Sequence, residues 1–245
     1  MKADPQAQRR LLDLQALDTS LAQLAHKRKT LPEYAEVDRL ARELSALEDE
    51  RVRVQVGVDD LDRDIARLEK DIDQVRVRAA KDQQRLDDGA GPARQIEALQ
   101  HELATLARRQ GELEDTELEL MEQRESAQGA LNEVEQRLAT LREKRAELER
   151  SRDEALSQIG REEEFRRSGR APLAGDLPED LVRLYERSRE QTGLGAALLR
   201  AGRCGACRLD LNASELNRVK AAPADEVIRC EECGSIMVRT EESGL

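Results

Sequence analysis

Two cysteine pairs constrain the fold of this chain more than any other feature. Cys204 and Cys207 form one C-x-x-C motif and Cys230 and Cys233 form another, with 22 residues between the motifs and no further cysteine in 245 residues. Two such motifs at this separation are typical of a structural Cys₄ zinc site, in which each short turn presents two thiolates to one tetrahedral Zn²⁺ ion. All four positions are filled by the protein, so we expect one structural zinc ion per chain and no metal catalysis.

Other roles for the cysteines fit the sequence less well. Disulfides suit secreted proteins, but the polar start of the chain predicts no secretory signal, and no apolar run is long enough to span a bilayer. A redox-active C-x-x-C motif is expected in a βαβ context, which the sequence does not show. Iron can bind the same four thiolates, so the spacing favours zinc and leaves iron as the alternative. Gly205 and Gly234 are expected to permit the tight turns of the two motifs.

The composition predicts long helices. Charged residues make up 38% of the chain and aromatic residues only 1%, which is typical of coiled coils. The net charge of −11 makes the chain as a whole repel nucleic acid and anionic membranes, so any RNA or DNA contact would need a local basic patch. Without a visible targeting segment, we expect the protein in the cytoplasm, where cysteines stay reduced.

Two sustained heptad patterns predict a coiled-coil hairpin over residues 33–160. Apolar residues alternate at spacings of three and four in each arm, which places them on one stripe of a helix. Between the arms, two glycines and a proline within residues 89–92 cannot continue a helix, so the arms must run antiparallel with the tip near 87–92. The first arm carries Val37, Leu40, Leu44, Leu47, Val54, Val58, Leu61, Ile65, Leu68, Ile72, Val75 and Ala79, and the second carries Ile96, Leu99, Leu103, Leu106, Leu113, Leu120, Ala127, Leu131, Val134, Leu138, Leu141 and Leu148.

The heptad pattern of the second arm is interrupted by polar residues in its middle. Gln110, Glu117 and Arg124 fall where apolar residues belong, while Leu118 and Met121 offer a shifted stripe that predicts a local stagger. Polar core positions are common register devices in coiled coils, and we favour that explanation over a hinge or a partner-docking site.

The remaining segments complete the predicted architecture, which is mainly α with a small β-rich module. A first helix, with Pro32 breaking the rod after it, is expected to lie against residues 145–165, and residues 168–176 are expected to form a loop. A short helix begins near Leu177, and strands flank the cysteine motifs. We predict an N-terminal helix and hairpin over 1–167, a neck over 168–195 and a Cys₄ zinc ribbon over 196–245. The ribbon is expected to fold on its metal and to share little core with the hairpin.

These segments resemble a family of bacterial proteins with an N-terminal coiled-coil hairpin and a C-terminal C4-type zinc ribbon. The resemblance covers nearly the whole chain and is carried by residues 92–103, residues 177–187 and both cysteine motifs. It implies a non-enzymatic regulator, since family members have been tied to an alternative sigma factor, to flagellar or secretion machinery and to RNA. Members often have an arginine and an aromatic residue where this chain has Ser235 and Val238.

The sequence supports two classes of binding function. In the first, the hairpin binds a protein partner, making the chain an adaptor or regulator. In the second, RNA or DNA binds the ribbon, although residues 201–245 hold six basic residues against eight acidic ones and no aromatic side chain. The candidate contacts are Arg203, Arg208, Arg218, Lys220, Arg229 and Arg239 in the ribbon and Arg76, Arg78, Lys81, Arg85 and Arg94 near the hairpin tip.

An enzyme is not expected. The chain has only two histidines, and it shows no Gly-rich phosphate loop and no nucleophile–base set. We also expect no membrane contact and no small-molecule substrate.

Overall fold

The computed structural model describes residues 1–89 and 92–245, and it consists of helices followed by a small sheet. The helices are α1 (Pro5–Lys29), α2 (Pro32–Asp87), α3 (Ala93–Gly175), α4 (Glu179–Thr192) and α5 (Ala213–Ala221). The strands are β1 (Ala196–Arg200), β2 (Arg203–Cys204), β3 (Ile228–Arg229) and β4 (Ile236–Val238), and a 3₁₀ turn follows at Glu241–Ser243. The mainly α fold with a small C-terminal sheet is therefore confirmed. Within these residues, no helix is long and apolar enough to cross a membrane.

Two compact units divide the chain. One contains residues Ala35–Glu149, and the other joins Met1–Tyr34 to Arg150–Leu245. The first is called the hairpin unit below, and the second is called the ribbon unit. The tip predicted at 87–92 includes Ala90 and Gly91, which lie outside the described residues; α2 ends at Asp87 and α3 begins at Ala93, on either side of them.

The hairpin unit is an antiparallel pair of helices, as the heptads predicted. Leu44 and Leu47 of α2 pack against Val134 and Leu138 of α3 in one buried cluster. Ion pairs cross between the helices in reversed order: Glu48 with Arg142 (3.0 Å), Asp62 with Arg124 (3.0 Å) and Arg76 with Glu114 (2.7 Å). As residue numbers rise along α2, those of the partners on α3 fall, which fixes the antiparallel arrangement.

The heptad seam of α3 continues through its polar middle without a stagger. Gln110, Glu117 and Arg124 are half-buried at seam positions, whereas Leu118 and Met121 are exposed. The predicted shift of the stripe to Leu118 and Met121 is wrong. Ion pairs and hydrogen bonds instead hold the polar seam, since Arg124 pairs with Asp62 and Gln110 donates to Glu114.

In the ribbon unit, α1 begins with a capped turn and packs on the sheet. The carboxylate of Asp4 accepts from the backbone N–H of Gln6 (2.7 Å), and Pro5 occupies the first helical position, where its missing N–H costs nothing. Leu11 and Leu14 are fully buried. Farther along, α1 lies beside α3 as expected, because Arg28 pairs with Glu163 at 3.1 Å.

The predicted loop over 168–176 is wrong, because α3 continues to Gly175 with Pro172 inside it. A proline within a helix removes one backbone hydrogen bond. The following residues, Leu173 and Ala174, pack against the main core of the ribbon unit. This partial burial favours the helical conformation, and the composition of the segment alone does not reveal it.

The four strands form one mixed sheet in the order β2-β1-β4-β3. β1 runs parallel to β4, and the two other neighbouring pairs are antiparallel. One face packs on the metal-binding turns, and the other packs on α1 and α4. The core on the helical side consists of Ala3, Leu11, Leu14, Leu177, Leu181, Tyr185, Ala196, Val227, Ile236 and Val238.

The ribbon shares a core with the N-terminal helix, which lies outside the predicted hairpin. Ile236 and Val238 of β4 are fully buried in the same cluster as Leu11 and Leu14 of α1. The backbone of residues 1–3 also pairs with the segment before β3, since Ala3 N–H donates to Asp225 (2.8 Å) and Val227 N–H donates to Met1 (3.1 Å). The ribbon is therefore packed and hydrogen-bonded to the N-terminal segment.

Candidate metal centre

The four cysteine sulfurs converge on one point. All four Sγ atoms lie within 4.8 Å of one another, with Cys204 to Cys233 at 3.9 Å and Cys207 to Cys230 at 3.8 Å. A tetrahedron with Zn–S bonds of about 2.3 Å has edges of about 3.8 Å, so the observed separations fit one tetrahedral ion. No disulfide joins the four cysteines.

The two cysteine turns have the same backbone design. In the first, the N–H of Arg208 donates to the carbonyl of Cys204 (2.8 Å), and in the second, the N–H of Gly234 donates to the carbonyl of Cys230 (3.0 Å). Both donors have positive φ angles, 65° at Arg208 and 73° at Gly234. Glycine adopts this conformation freely and arginine does not, so the first turn carries backbone strain that the second avoids.

Gly205 is required because there is no space for a side chain between the first cysteine turn and β1. A Cβ at this position would lie 2.6 Å from the carbonyl oxygen of Leu198, which accepts the N–H of Gly205 at 2.9 Å. The glycine therefore lets the first turn approach β1 closely enough for this bond to form.

Burial and hydrogen bonding move the thiol pKa values in different directions. Burial raises the pKa of Cys204 to about 12, although backbone N–H groups of Cys207 and Ala206 oppose the shift. At Cys233, burial also favours the thiol, but hydrogen bonds with Ser235, Cys230 and Cys207 together outweigh it and lower the pKa to about 7. A bound zinc ion would hold all four as thiolates, and it would supply structural cross-linking with no open coordination position.

Hydroxyl groups anchor the second turn to α4 and to the segment that follows α4. Ser188 donates to the carbonyl of Gly234 (3.0 Å), and Ser235 donates to the carbonyl of Leu194 (2.7 Å). Both serines are fully buried. Sequence reasoning missed this contact, although Ser188 continues the spacing of the buried face of α4 after Leu181 and Tyr185, and a polar residue on an apolar face is a usable signal.

A buried polar network on the helical side of the sheet was also missed. The Tyr185 hydroxyl donates to Asp18 (2.7 Å), and Asp18 also accepts from Arg170 (2.6 Å). The side-chain oxygen of Gln15 accepts from the N–H of Gly195 at the start of β1 (2.7 Å). These bonds join α1, α3, α4 and the sheet. The sequence signal was an acidic residue, Asp18, within the apolar stripe of α1.

The predicted basic contacts in the ribbon are mostly engaged with the protein itself. Arg203 makes two bonds to Asp210 (2.8 and 3.1 Å), Arg218 pairs with Glu231, and Arg229 donates to the carbonyl of Gly234 (3.0 Å). Arg239 donates to five backbone carbonyls, those of Val219, Ala222, Pro223, Ala224 and Glu226. Arg208 and Lys220 are exposed and make no ion pair within the described residues.

Near the hairpin tip, three of the five predicted basic residues likewise form ion pairs within the protein. Arg76 pairs with Glu114 across the hairpin, Arg78 pairs with Glu102, and Arg85 pairs with Asp82 on its own helix. Lys81 and Arg94 are exposed, without an ion pair in the part of the chain that the structure covers.

Comparison with known proteins agrees with the fold and the metal centre. Residues 14–193 match the CT398-like coiled coil hairpin domain, and residues 203–237 match the C4-type zinc ribbon domain. The protein Rv2229c of Mycobacterium tuberculosis is 40% identical over 241 residues, covering 98% of each chain. ML1638 of Mycobacterium leprae is 31% identical over 222 residues, covering 91% of this chain and 96% of its own.

Solved structures show the same fold. A protein from Mycobacterium smegmatis superposes with a TM-score of 0.86 at 37% identity, covering 98% of this chain and all of its own. CT398 from Chlamydia trachomatis superposes with a TM-score of 0.66 at 19% identity, covering 96% of this chain and 98% of its own. The cysteine geometry and the zinc-ribbon match confirm one structural Zn²⁺ as the expected cofactor. This chain belongs to the CT398-like family of coiled-coil hairpin proteins that carry a C4-type zinc ribbon.

Proposed function

We propose that this protein is a non-enzymatic cytoplasmic adaptor or regulator that binds a protein partner through its hairpin. The observation that carries the proposal is the pair of long helices α2 and α3, whose outer faces in the hairpin unit are exposed and mainly charged. Such helices present a long surface to a partner helix. The metal centre supports the same function, because four thiolates leave zinc no position for a substrate.

The test is affinity capture with the full zinc-loaded chain from its native cytoplasm, with and without nuclease. An adaptor is expected to retain one protein at a fixed molar ratio after nuclease treatment, and the purified pair is expected to sediment as one complex. Loss of every protein on nuclease treatment would contradict the proposal and favour a nucleic-acid function.

A second candidate function is RNA or DNA binding by the ribbon. It is favoured by one groove beside the first cysteine turn, where Arg208 lies next to Arg200 and Arg203. Arg208 also adopts a strained positive φ, and such strain is concentrated at functional sites. Against strong binding, Arg203 is neutralised by Asp210 and Arg200 pairs with Glu242. The contact would therefore be weak, with little sequence specificity and a steep salt dependence.

Charge reversal separates the candidate nucleic-acid surfaces. Arg208→Glu combined with Arg229→Glu is expected to abolish binding of a single-stranded RNA or DNA oligonucleotide at low salt, while zinc content stays at one per chain. The matched variant at the other predicted surface is Lys81→Glu combined with Arg94→Glu, which should leave ribbon binding intact. Binding that survives the first pair and is lost in the second would move the contact to the hairpin tip.

A further inference from the structure

The hairpin unit exposes two neighbouring apolar side chains in the middle of α3. Leu118 and Met121 are three residues apart, so they lie side by side on one helix face, and they are 59% and 51% exposed. Methionine is common at protein-binding surfaces because its unbranched side chain adapts to the partner. Ion pairs cross to α2 at both ends of the face, Glu114 to Arg76 and Arg124 to Asp62.

The same segment of α3 has polar residues at the seam with α2, where apolar residues would stabilise the hairpin. Glu117 and Arg124 occupy half-buried seam positions, while Leu118 and Met121 face outward. Exchanging the two kinds of residue would increase the apolar area buried between α2 and α3. The arrangement therefore does not serve the stability of the hairpin, and such local conflicts are expected at functional sites.

The charge on this stretch of α3 is predominantly negative. Between residues 112 and 125, α3 carries seven acidic residues and one basic residue, Arg124. Glu119, Glu122 and Glu125 make no ion pair among residues 1–89 and 92–245. The apolar pair is therefore surrounded by acidic groups that the fold itself leaves uncompensated.

These charges decide what can cover the face. A second copy docking on the same face would bring two acidic segments together, and an anionic membrane or nucleic acid would be repelled. A partner whose apolar side chains are flanked by Lys or Arg is complementary to both features. The ion pairs that bracket the face are ten residues apart on α3, from Glu114 to Arg124, which corresponds to about 15 Å or nearly three helical turns.

We infer that the face formed by Leu118 and Met121 is the docking surface for a basic amphipathic helix of the partner protein. This inference rests on the proposed adaptor function and adds the surface and the chemistry of the partner. The apolar stripe of the incoming helix covers Leu118 and Met121, and its Lys or Arg residues pair with Glu119, Glu122 and Glu125.

The direct test uses a labelled 18-residue peptide of Leu and Lys with one apolar stripe, and an isomer of the same composition with the pattern scrambled. The full zinc-loaded chain is expected to bind the first peptide, and Leu118→Ser combined with Met121→Ser should weaken binding at least tenfold. The matched control is Val52→Ser combined with Val56→Ser, an equally exposed apolar pair on α2 that should leave binding unchanged. All four positions are exposed, so both variants should keep the helical circular dichroism of the parent.

The outcomes separate this inference from the proposed function. Equal binding of the two peptides, or equal loss in both variants, would overturn the docking surface. A native partner captured equally well by the Leu118–Met121 variant would also overturn it while leaving the adaptor function standing. Loss of that partner in this variant but not in the Val52–Val56 variant would support both. A dimer of the free chain that dissociates only in the Leu118–Met121 variant would assign the face to a second copy and overturn the inference.

Discussion

The absence of a Cβ atom at Gly205 lets the first cysteine turn approach β1 closely. Gly205→Ala would place a methyl group 2.6 Å from the Leu198 carbonyl oxygen, and backbone atoms cannot move away as a flexible side chain can. Such overpacking costs about 1–3 kcal/mol, so we expect zinc affinity to fall about tenfold, measured by competition with a chromophoric chelator. Gly129→Ala is the control, because its Cβ meets nothing within 4 Å in helix α3. That variant should keep its zinc affinity and gain about 1 kcal/mol of helix stability.

The Asp18–Tyr185 hydrogen bond is expected to make stability depend on pH at both extremes. Burial opposes ionisation of Asp18, but hydrogen bonds from Arg170 and Tyr185 outweigh it and lower its pKa below the ordinary 3.8. This stabilisation is fully present above pH 3.8 and is lost as the pH falls through the lowered value. Burial and the bond to Asp18 raise the pKa of Tyr185 above 10, so its contribution is lost only as the pH rises beyond 10.

Tyr185→Phe tests this bond in the ribbon unit. Hydrogen bonds to charged groups contribute about 1.5–3 kcal/mol, so we expect the free energy of unfolding in urea to fall by about 2 kcal/mol at neutral pH. Above pH 10, the free energy of unfolding of the variant should depend less on pH than that of the parent. Tyr34→Phe is the matched control, because the only other tyrosine is exposed. An equal loss in both variants would show that the Asp18 contact does not stabilise the protein.

At the scale of helices, replacing a polar residue in the seam of α3 with an apolar one should stabilise the hairpin unit. Glu117→Leu replaces a half-buried carboxylate with an apolar side chain that fits the heptad. Partial burial of a leucine should stabilise the hairpin unit by about 1 kcal/mol, read from amide hydrogen exchange of its central residues. Glu119→Leu places the same side chain on the exposed face and should leave exchange unchanged. No gain at position 117 would mean that α2 and α3 separate at this point.

Local patterns predicted the helices and the cysteine site, whereas contacts between distant segments were not predictable. The cysteine turns need only their own spacing, and the heptads need only their period. Pro172 is different, because its place inside α3 depends on the burial of Leu173 and Ala174. Likewise, Arg239 is an ordinary basic residue in the sequence, and only the folded loop over 222–226 turns its guanidinium into a donor to backbone carbonyls.

For the molecule as a whole, we expect zinc to stabilise more than the ribbon. The sheet lies between the metal-binding turns and the helices, with Met237 packed among the cysteines and Ile236 and Val238 packed on α1 and α4. If zinc is removed, the turns lose their cross-link and the strands lose the support of one face. The other face then no longer holds α1 and α4 in place.

We therefore expect chelation, or Cys230→Ser, to lower hydrogen-exchange protection in α1 and α4 as well as in the ribbon. Elemental analysis of the untreated protein should give one zinc per chain and little iron, and adding Zn²⁺ to the chelated wild type should restore protection. The amides of Val58 and Ile72, buried in the hairpin seam, provide the internal reference. Leu11 and Leu181 belong to the core on the helical face of the sheet. If their amides stay protected after zinc removal, the packing of α1 and α4 on the sheet does not depend on the metal.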